Sequence, residues 1–160
     1  MYKNIMQLAW VTTDVHRAVK VFQEEQGVAS IEVFEGFTLS TVGGGEVVID
    51  VALAYVGDMQ FEIIQPVSGE VDLYRRHLPV DRSEFALRFH HMCSSFDTLD
   101  EYERALADYR ARGVTVEVDG GFGEGGRFFY ADTRNQVDHY QEYVYLDEAT
   151  KQFLNTLPRN

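Results

Sequence analysis

Four polar residues stand inside segments that are otherwise apolar, and their side chains are of the types that bind metal ions. They are Gln7, Glu62, His91 and Glu142. An ionised glutamate within a buried strand costs several kcal/mol unless it is paired, protonated or bound to a metal. Two glutamates, one amide oxygen and one imidazole form a mixed oxygen and nitrogen set suited to a borderline divalent ion. Because no thiolate is among them, we expect an open octahedral site with water ligands and not a closed structural zinc site.

Each of the four residues also has a plainer interpretation. For Gln7, Glu62 and Glu142 it is a water-facing side chain on an edge strand, which is the usual place for a lone polar residue. For His91 it is a hydrogen-bonded core histidine. All four plain interpretations would have to coincide at positions related by an internal repeat, so the sequence favours one shared site.

Other candidate residues carry weaker signals. Strand alternation predicts that His90 faces away from His91, toward the helices, and that His139 also faces away from the ligand side. Cys93 shares the face of His91 and could line a pocket, although a buried inert thiol is the more common case. The glycine-rich stretch Gly120–Gly126 lacks the strand and helix context of a phosphate-binding loop, so we expect a mobile loop at the rim.

The elements that must position these residues begin with a strand and a helix. Ile5–Val11 is an apolar run that predicts a buried strand. Asp14 is a suitable N-cap for a helix to about Gln26, which Gly27 would end. Further strands are predicted at Ile31–Phe34, Thr38–Val42, Glu46–Tyr55 and Met59–Ile64.

The same order then recurs. Ala86–Cys93 predicts a strand, and Thr98 with Glu101 forms a capping-box pattern that opens a helix to about Arg112, which Gly113 would end. Later strands are predicted at Val114–Val118, Arg127–Ala131 and Asp138–Leu146, followed by a short helix from Asp147 to about Leu154.

Landmarks in the two passes are separated by a nearly constant interval. The separations are 84 residues from Gln7 to His91, 86 from Gly27 to Gly113 and 80 from Glu62 to Glu142. Such a constant offset predicts an internal duplication. Gln65–Glu84, which contains two prolines and a glycine, is the expected connection between the halves.

Three local strings resemble motifs of the vicinal oxygen chelate superfamily, which includes glyoxalase I, methylmalonyl-CoA epimerase, extradiol dioxygenases and bleomycin-binding proteins. Phe61–Pro66 is similar to its Glu-Leu-Leu-x-Pro strand, Phe89–Cys93 to its His-His-Ile-x-Phe strand and Asp138–Tyr143 to its Gly-His-Tyr-x-Glu-Tyr strand. In the last string Asp138 stands where relatives have glycine. The three strings occur in the family's order, and the resemblance extends from about Ile5 to Leu146.

The resemblance implies an α+β fold in which two tandem βαβββ modules form a cupped mixed sheet. It divides one glyoxalase-like domain, residues 1–160, into module 1 (about 4–66), a linker (67–84), module 2 (85–146) and a C-terminal helix (147–156). It places one divalent metal (Zn, Ni, Co, Mn or Fe) on Gln7, Glu62, His91 and Glu142. It also assigns Glu142 as the catalytic base with Glu62 as its facing catalytic partner.

The implied reaction is a metal-dependent isomerisation, epimerisation or lyase step, by proton transfer on a small substrate that chelates through two vicinal oxygens. Two alternatives stay open. One is a binding or resistance protein that sequesters an aromatic molecule, suggested by the 11 Phe and 9 Tyr. The other is an Fe(II) ring-cleaving dioxygenase, which the single histidine at the ligand positions disfavours because that chemistry uses two histidines and one carboxylate.

Composition limits the partners. The formal charge of −12 repels polyanions, so we expect neither nucleic acid nor anionic membranes as partners. No apolar run reaches the ~18–20 residues that cross a bilayer, and no signal peptide is recognisable. With Cys93 as the one cysteine, we expect a cytoplasmic protein. The resemblance adds the expectation of a homodimer.

Overall fold

The computed structural model describes residues 4–160, in which eight strands and five helices follow one another. The strands are β1 (Ile5–Thr12), β2 (Glu32–Thr41), β3 (Glu46–Val56), β4 (Met59–Gly69), β5 (Leu87–Phe96), β6 (Val116–Phe122), β7 (Gly126–Ala131) and β8 (Tyr140–Tyr145). The helices are α1 (Val15–Glu25), α2 (Asp72–Arg75), α3 (Leu99–Ala111), α4 (Arg134–Val137) and α5 (Glu148–Leu154).

The strands form one mixed sheet that closes into a barrel in the order β1-β4-β3-β2-β6-β7-β8-β5. β1 is parallel to β4, and β5 is parallel to β8 in the same way, so the βαβββ unit occurs twice. The predicted α+β fold of two such modules is confirmed. The two units join where β1 runs antiparallel to β5.

The second junction closes the barrel and is short. β2 and β6 pair only through Ser40 with Gly121 and Thr41 with Gly120. A Cβ at residue 120 would lie 2.5 Å from the Ser40 carbonyl oxygen and 2.6 Å from the Phe128 ring. Glycine is therefore required for the two strands to approach this closely. The expected rim loop at Gly120–Gly126 was wrong in its extent, since both ends of that stretch belong to β6 and β7.

Helices α1 and α3 pack on the outer surface of the barrel, one for each repeat. The Asp14 carboxylate accepts a hydrogen bond from the Arg17 amide, and the Thr98 hydroxyl accepts one from the Glu101 amide, as the predicted N-caps require. The buried side chains of α1 are Val15, Ala18, Val19 and Phe22, and those of α3 are Tyr102, Leu106 and Tyr109. Each larger buried apolar side chain stabilises the fold by roughly 1.5–3 kcal/mol.

Two short helices, α2 and α5, also contribute side chains to the interior of the barrel. α2, which lies in the connection between β4 and β5, places Leu73 and Tyr74 in the core of the barrel. Helix α5 contributes Phe153, whose ring makes an edge contact with Phe34 at 5.4 Å between centroids. The short C-terminal helix was predicted, whereas α2 falls in a segment predicted only as a linker.

Candidate functional site

The four polar residues lie on four neighbouring strands. In the order of the sheet, β4 carries Glu62, β1 carries Gln7, β5 carries His91 and β8 carries Glu142. All four side chains face the interior, because alternate residues of these strands build the inner core. His91 is fully buried, and Gln7 and Glu142 are 7% and 8% exposed. One wall of the barrel thus carries all four of the predicted metal ligands.

His91 is the centre of this wall. Its Nε2 atom lies 3.1 Å from Glu142 Oε2 and 3.4 Å from Glu62 Oε2. Neither oxygen lies in line with the ring nitrogen, so Nε2 is a buried atom without a hydrogen bond. The contact between the imidazole and the two carboxylates is therefore electrostatic.

The two carboxylates and the imidazole change one another's proton affinity. Burial by itself lowers the pKa of His91, but Glu142 and Glu62 outweigh it and raise that pKa to about 9. Burial also raises the pKa of Glu62 above its usual value, against the opposing effect of His91. Without a bound cation, a proton on His91 neutralises part of the charge of the two carboxylates.

Gln7 faces the same interior and is held by a residue that the sequence analysis missed. Its Nε2 atom donates to Gln60 Oε1 at 2.6 Å, and its Oε1 atom is buried without a partner. The hydrogen bond to Gln60 thus fixes the orientation of the Gln7 side-chain amide and leaves its oxygen without a partner. Strand alternation could have revealed Gln60, since it precedes Glu62 by two residues and shares its face.

His90 was predicted to face away from His91, and the structure shows this to be wrong. Ala9 pairs with His91 and Trp10 with Phe89, so His90 is the extra residue of a β-bulge in β5. The bulge turns its ring inward, where His90 Nδ1 lies 2.9 Å from His91 Nδ1. His139 does lie on the outside, where its ring contacts Phe89.

The contacts of His90 determine the tautomer of His91. His90 Nε2 lies 3.3 Å from the carbonyl oxygen of Leu73, which can only accept, so Nε2 carries the proton. Burial lowers the pKa of His90 well below its usual value, so the ring is neutral and its Nδ1 accepts from His91 Nδ1. A neutral His91 then has its lone pair on Nε2, the atom that faces the two glutamates.

Two tyrosines complete the polar end of the interior, and the sequence analysis missed both. The Tyr74 hydroxyl donates to the Tyr130 hydroxyl at 3.4 Å. Tyr130 pairs across β7 and β8 with Glu142, and its ring centroid lies 5.0 Å from that of His91. Burial and the nearby Glu142 raise the pKa of Tyr130 well above its usual value. Tyr130 is therefore a protonated donor beside the carboxylate.

Three of the four wall residues, Gln7, Glu62 and Glu142, border a cavity of about 500 Å³ inside the barrel, and His91 lies buried behind them. The cavity lining includes Gln7, Gln60, Glu62, Glu142, Tyr74, Tyr130 and Cys93 at the polar end. The rest of the lining is largely apolar. Cys93 is buried and burial raises its pKa well above the usual value, which is typical of an inert thiol.

The donor set suits a divalent cation in its chemistry. The orphaned Gln7 Oε1 atom is a neutral oxygen donor, and His91 Nε2 offers a lone pair once the ring loses its extra proton to a binding cation. Glu62 and Glu142 supply two negative charges beside them. Within residues 4–160, however, no three His, Cys, Asp or Glu side chains already stand in a metal-binding arrangement. The side chains of Gln7, Glu62 and Glu142 would have to rotate for their oxygens to converge with His91 Nε2 on one ion.

The raised pKa of His91 predicts how the metal-free protein responds to pH. A raised pKa means that the protonated form stabilises the fold, fully so below the unfolded value of about 6.5, and this is lost as pH rises through about 9. We expect the free energy of unfolding, measured by urea titration in EDTA, to fall by on the order of 3 kcal/mol over this window. His91→Gln should remove the fall and His139→Gln should keep it. An equal fall in His91→Gln would contradict the assignment.

Comparison with known proteins places this geometry in context. A family model described as "Glyoxalase/Bleomycin resistance protein/Dioxygenase superfamily" matches residues 6–130. The match covers three of the four wall residues and stops before β8, which carries Glu142. Among curated proteins, no sequence matches the chain.

Solved structures share the fold at low sequence identity. A methylmalonyl-CoA epimerase variant of Streptomyces coelicolor, in complex with 2-nitronate-propionyl-CoA, has a TM-score of 0.60 at 17% identity and covers 92% of this chain and 97% of its own. The methylmalonyl-CoA epimerase of Mycobacterium tuberculosis has a TM-score of 0.58 at 12% identity, and the match covers 93% of this chain and 91% of the epimerase. A hypothetical protein of Bacillus halodurans has a TM-score of 0.54 at 10% identity, and the match covers 91% of this chain and 95% of that protein.

Among the helices of residues 4–160, none is long and apolar enough to span a membrane.

Proposed function

Since the chain belongs to the Glyoxalase/Bleomycin resistance protein/Dioxygenase superfamily, we propose that it is a metal-dependent isomerase, epimerase or lyase. Its reaction is a proton transfer at the carbon next to a carbonyl group, in a small substrate with two vicinal oxygens. The observation that carries the proposal is the contact of one buried imidazole with two glutamates that border the cavity inside the barrel. Structural neighbours that are named epimerases support the same class of reaction.

Gln7, Glu62, His91 and Glu142 would hold the metal, for which Zn, Ni, Co, Mn and Fe are the candidates. A divalent ion there supplies Lewis acidity, which polarises the carbonyl and stabilises the negative charge that develops on its oxygen. Each residue contributes an unpartnered or anionic atom on the same wall. A homodimer is part of the proposal as an expectation from the family.

The proton is moved by the two carboxylates. We assign Glu142 as the base that takes the proton from carbon, with Glu62 on the other side of His91 as the group that returns it. The raised pKa of Glu62 suits this role, because a carboxylate whose pKa is nearer neutrality exchanges protons with carbon acids more readily. Tyr130 stays protonated next to Glu142 and can donate a hydrogen bond to a substrate oxygen.

Deuterium exchange tests the proposal directly. Protein loaded in turn with each candidate metal is incubated in D₂O with neutral α-hydroxy ketones and with methylmalonyl-CoA, and carbon-bound deuterium is followed by NMR. We expect metal-dependent exchange at the carbon next to the carbonyl, and its loss on removal of the metal. Failure to bind any of the metals stoichiometrically would overturn the proposal.

The cavity itself favours a second candidate function. Its apolar walls could hold an aromatic molecule without catalysis, as in a sequestering protein. That function predicts tight ligand binding in the metal-free protein and no exchange with any metal. A ring-cleaving dioxygenase is disfavoured, because within residues 4–160 His91 is the histidine that contacts the carboxylates, while His90 is engaged with Leu73 and with His91 itself.

A further inference from the structure

We infer that the cavity takes an uncharged and largely apolar substrate, such as an aryl or branched-alkyl α-hydroxy ketone, and not an anionic or coenzyme A-linked one. For its reaction this inference rests on the proposed function above. It is carried by the apolar walls of the cavity and by the charges in its lining.

The walls opposite the polar end are hydrocarbon. They include Phe37, Leu39, Val51, Phe128, Val144 and Phe153. Leu39, Val51, Phe128 and Val144 are buried within the core of the barrel. A space of about 500 Å³ lies in the range of sites for drug-sized ligands. A polar substrate would lose its hydration there without gaining hydrogen bonds, whereas an apolar body gains roughly 25 cal/mol for each Å² that it buries.

The charges in the lining are all negative. The ionisable acids that border the cavity are Glu62, Glu124, Glu142 and Asp147, and no lysine or arginine is among the described residues that line it. A divalent ion on the site would be balanced by Glu62 and Glu142, so no positive charge is left over for an anionic group. Carboxylate, phosphate or sulfate on the substrate would meet the like charges of Glu124 and Asp147 in the lining.

The nearest arginines on the barrel are engaged elsewhere. Arg127 on β7 points outward, where it donates to Asp119 and to the Gly120 carbonyl oxygen. Arg76 donates to Glu117 and to the Tyr140 hydroxyl. Recruiting either of them for an anionic substrate would break its present ion pair.

One side of the cavity mouth is lined by α5, and the chain end that follows this helix is bonded to the barrel. Phe153 contacts Phe34 across the opening. Beyond the helix, the Asn160 amide donates to the Tyr55 carbonyl oxygen, and the Asn160 side chain exchanges hydrogen bonds with the backbone of Ser30. The side of the mouth that α5 lines is therefore apolar through Phe34 and Phe153, which suits an apolar substrate.

Three probes that each carry a carbonyl group but differ in charge and size test the inference by calorimetry on the full chain, with Co²⁺ bound and without it. Benzoin is a neutral α-hydroxy ketone with two phenyl rings. Mandelate has a phenyl ring and two vicinal oxygens but is an anion, and propionyl-coenzyme A is large and highly charged. We expect benzoin to bind at least tenfold more tightly than either of the others. Equal or tighter binding of mandelate or propionyl-coenzyme A, or no binding of benzoin, would overturn the inference.

A substitution at the mouth makes the test independent of core packing. Phe37 is 41% exposed and lines the cavity, so Phe37→Lys should fold while bringing a positive charge to the opening. We expect it to weaken benzoin binding and strengthen mandelate binding, each at least threefold. Val67 is 42% exposed on β4 away from the cavity, so Val67→Lys is the matched control and should change neither. An identical response of the two variants would contradict the inference.

A separate titration distinguishes this inference from the proposed function. Binding of Co²⁺ to the four wall residues is followed by visible absorption without any organic probe. If Co²⁺ binds and benzoin does not, the substrate class is wrong and the metal-dependent function stands. If benzoin binds and Co²⁺ does not, the apolar cavity stands and the metal-dependent function fails.

Discussion

Replacing Glu142 by glutamine is expected to lower the rate of carbon-bound deuterium exchange by 10²–10⁴-fold, the usual contribution of a general base. The same variant should bind Co²⁺ at least tenfold more weakly, since one of the two negative charges at the site is removed. Glutamine keeps the size of the side chain and an oxygen near His91 Nε2, which now lies 3.1 Å from Glu142 Oε2. Exchange is measured by NMR in D₂O and Co²⁺ affinity by visible absorption.

The matched control is Glu124→Gln. Glu124 also borders the cavity, but it lies exposed in the turn between β6 and β7. It loses the same charge without touching the imidazole, so we expect its exchange rate and Co²⁺ affinity to stay within about twofold of the parent protein. If the two variants lose activity equally, the effect is one of overall charge and Glu142 is not the base. If Glu62→Gln loses exchange and Glu142→Gln does not, the two roles are reversed.

The wall of the site could be predicted because it depends on local rules. Alternation along a strand decides which residues face inward, and the polar residue inside each apolar strand, at Gln7, Glu62, His91 and Glu142, does face the interior. The caps at Asp14 and Thr98 were readable for the same reason, since each is a contact over three residues.

The prediction failed where one residue changes the register. A β-bulge inserts an extra residue into one strand, and its side chain then lies on the opposite face from the one that strict alternation predicts. Nothing in the string Phe89–Cys93 signals that β5 pairs with β1 out of step at His90, because the irregularity exists only in the pairing of the two strands. The inward direction of His90 was therefore missed.

Long-range closure was equally hidden from the sequence. The cupped sheet becomes a barrel through two residue pairs between β2 and β6, and Gly120 permits the approach by lacking a Cβ atom. Read along the chain, a glycine-rich stretch is more typical of a loop than of a strand. Asp138, by contrast, adopts the left-handed conformation with φ of 62° where relatives have glycine, so the local turn is retained.

His90 is buried and its recorded hydrogen bonds go to His91 and Leu73, not to Glu62 or Glu142. Its removal is nevertheless expected to weaken metal binding. His90 Nδ1 accepts from His91 Nδ1, and this bond keeps the lone pair of His91 on Nε2. In His90→Phe the acceptor is lost, so His91 can place its proton on Nε2, where Glu142 lies 3.1 Å away. Loss of such an orienting partner typically costs 10–100-fold in metal affinity. Co²⁺ titration by visible absorption measures it.

Rescue separates orientation from packing in this prediction. His90→Gln keeps an oxygen to accept from His91 and an amide to donate to Leu73, so it should recover most of the Co²⁺ affinity that His90→Phe loses. His77→Phe is the control, because the His77 ring contacts the His90 ring at 5.0 Å between centroids and belongs to the same aromatic cluster. We expect it to leave Co²⁺ affinity within about twofold. If His77→Phe weakens Co²⁺ binding as much as His90→Phe does, His90 supports the site through packing alone and does not orient His91.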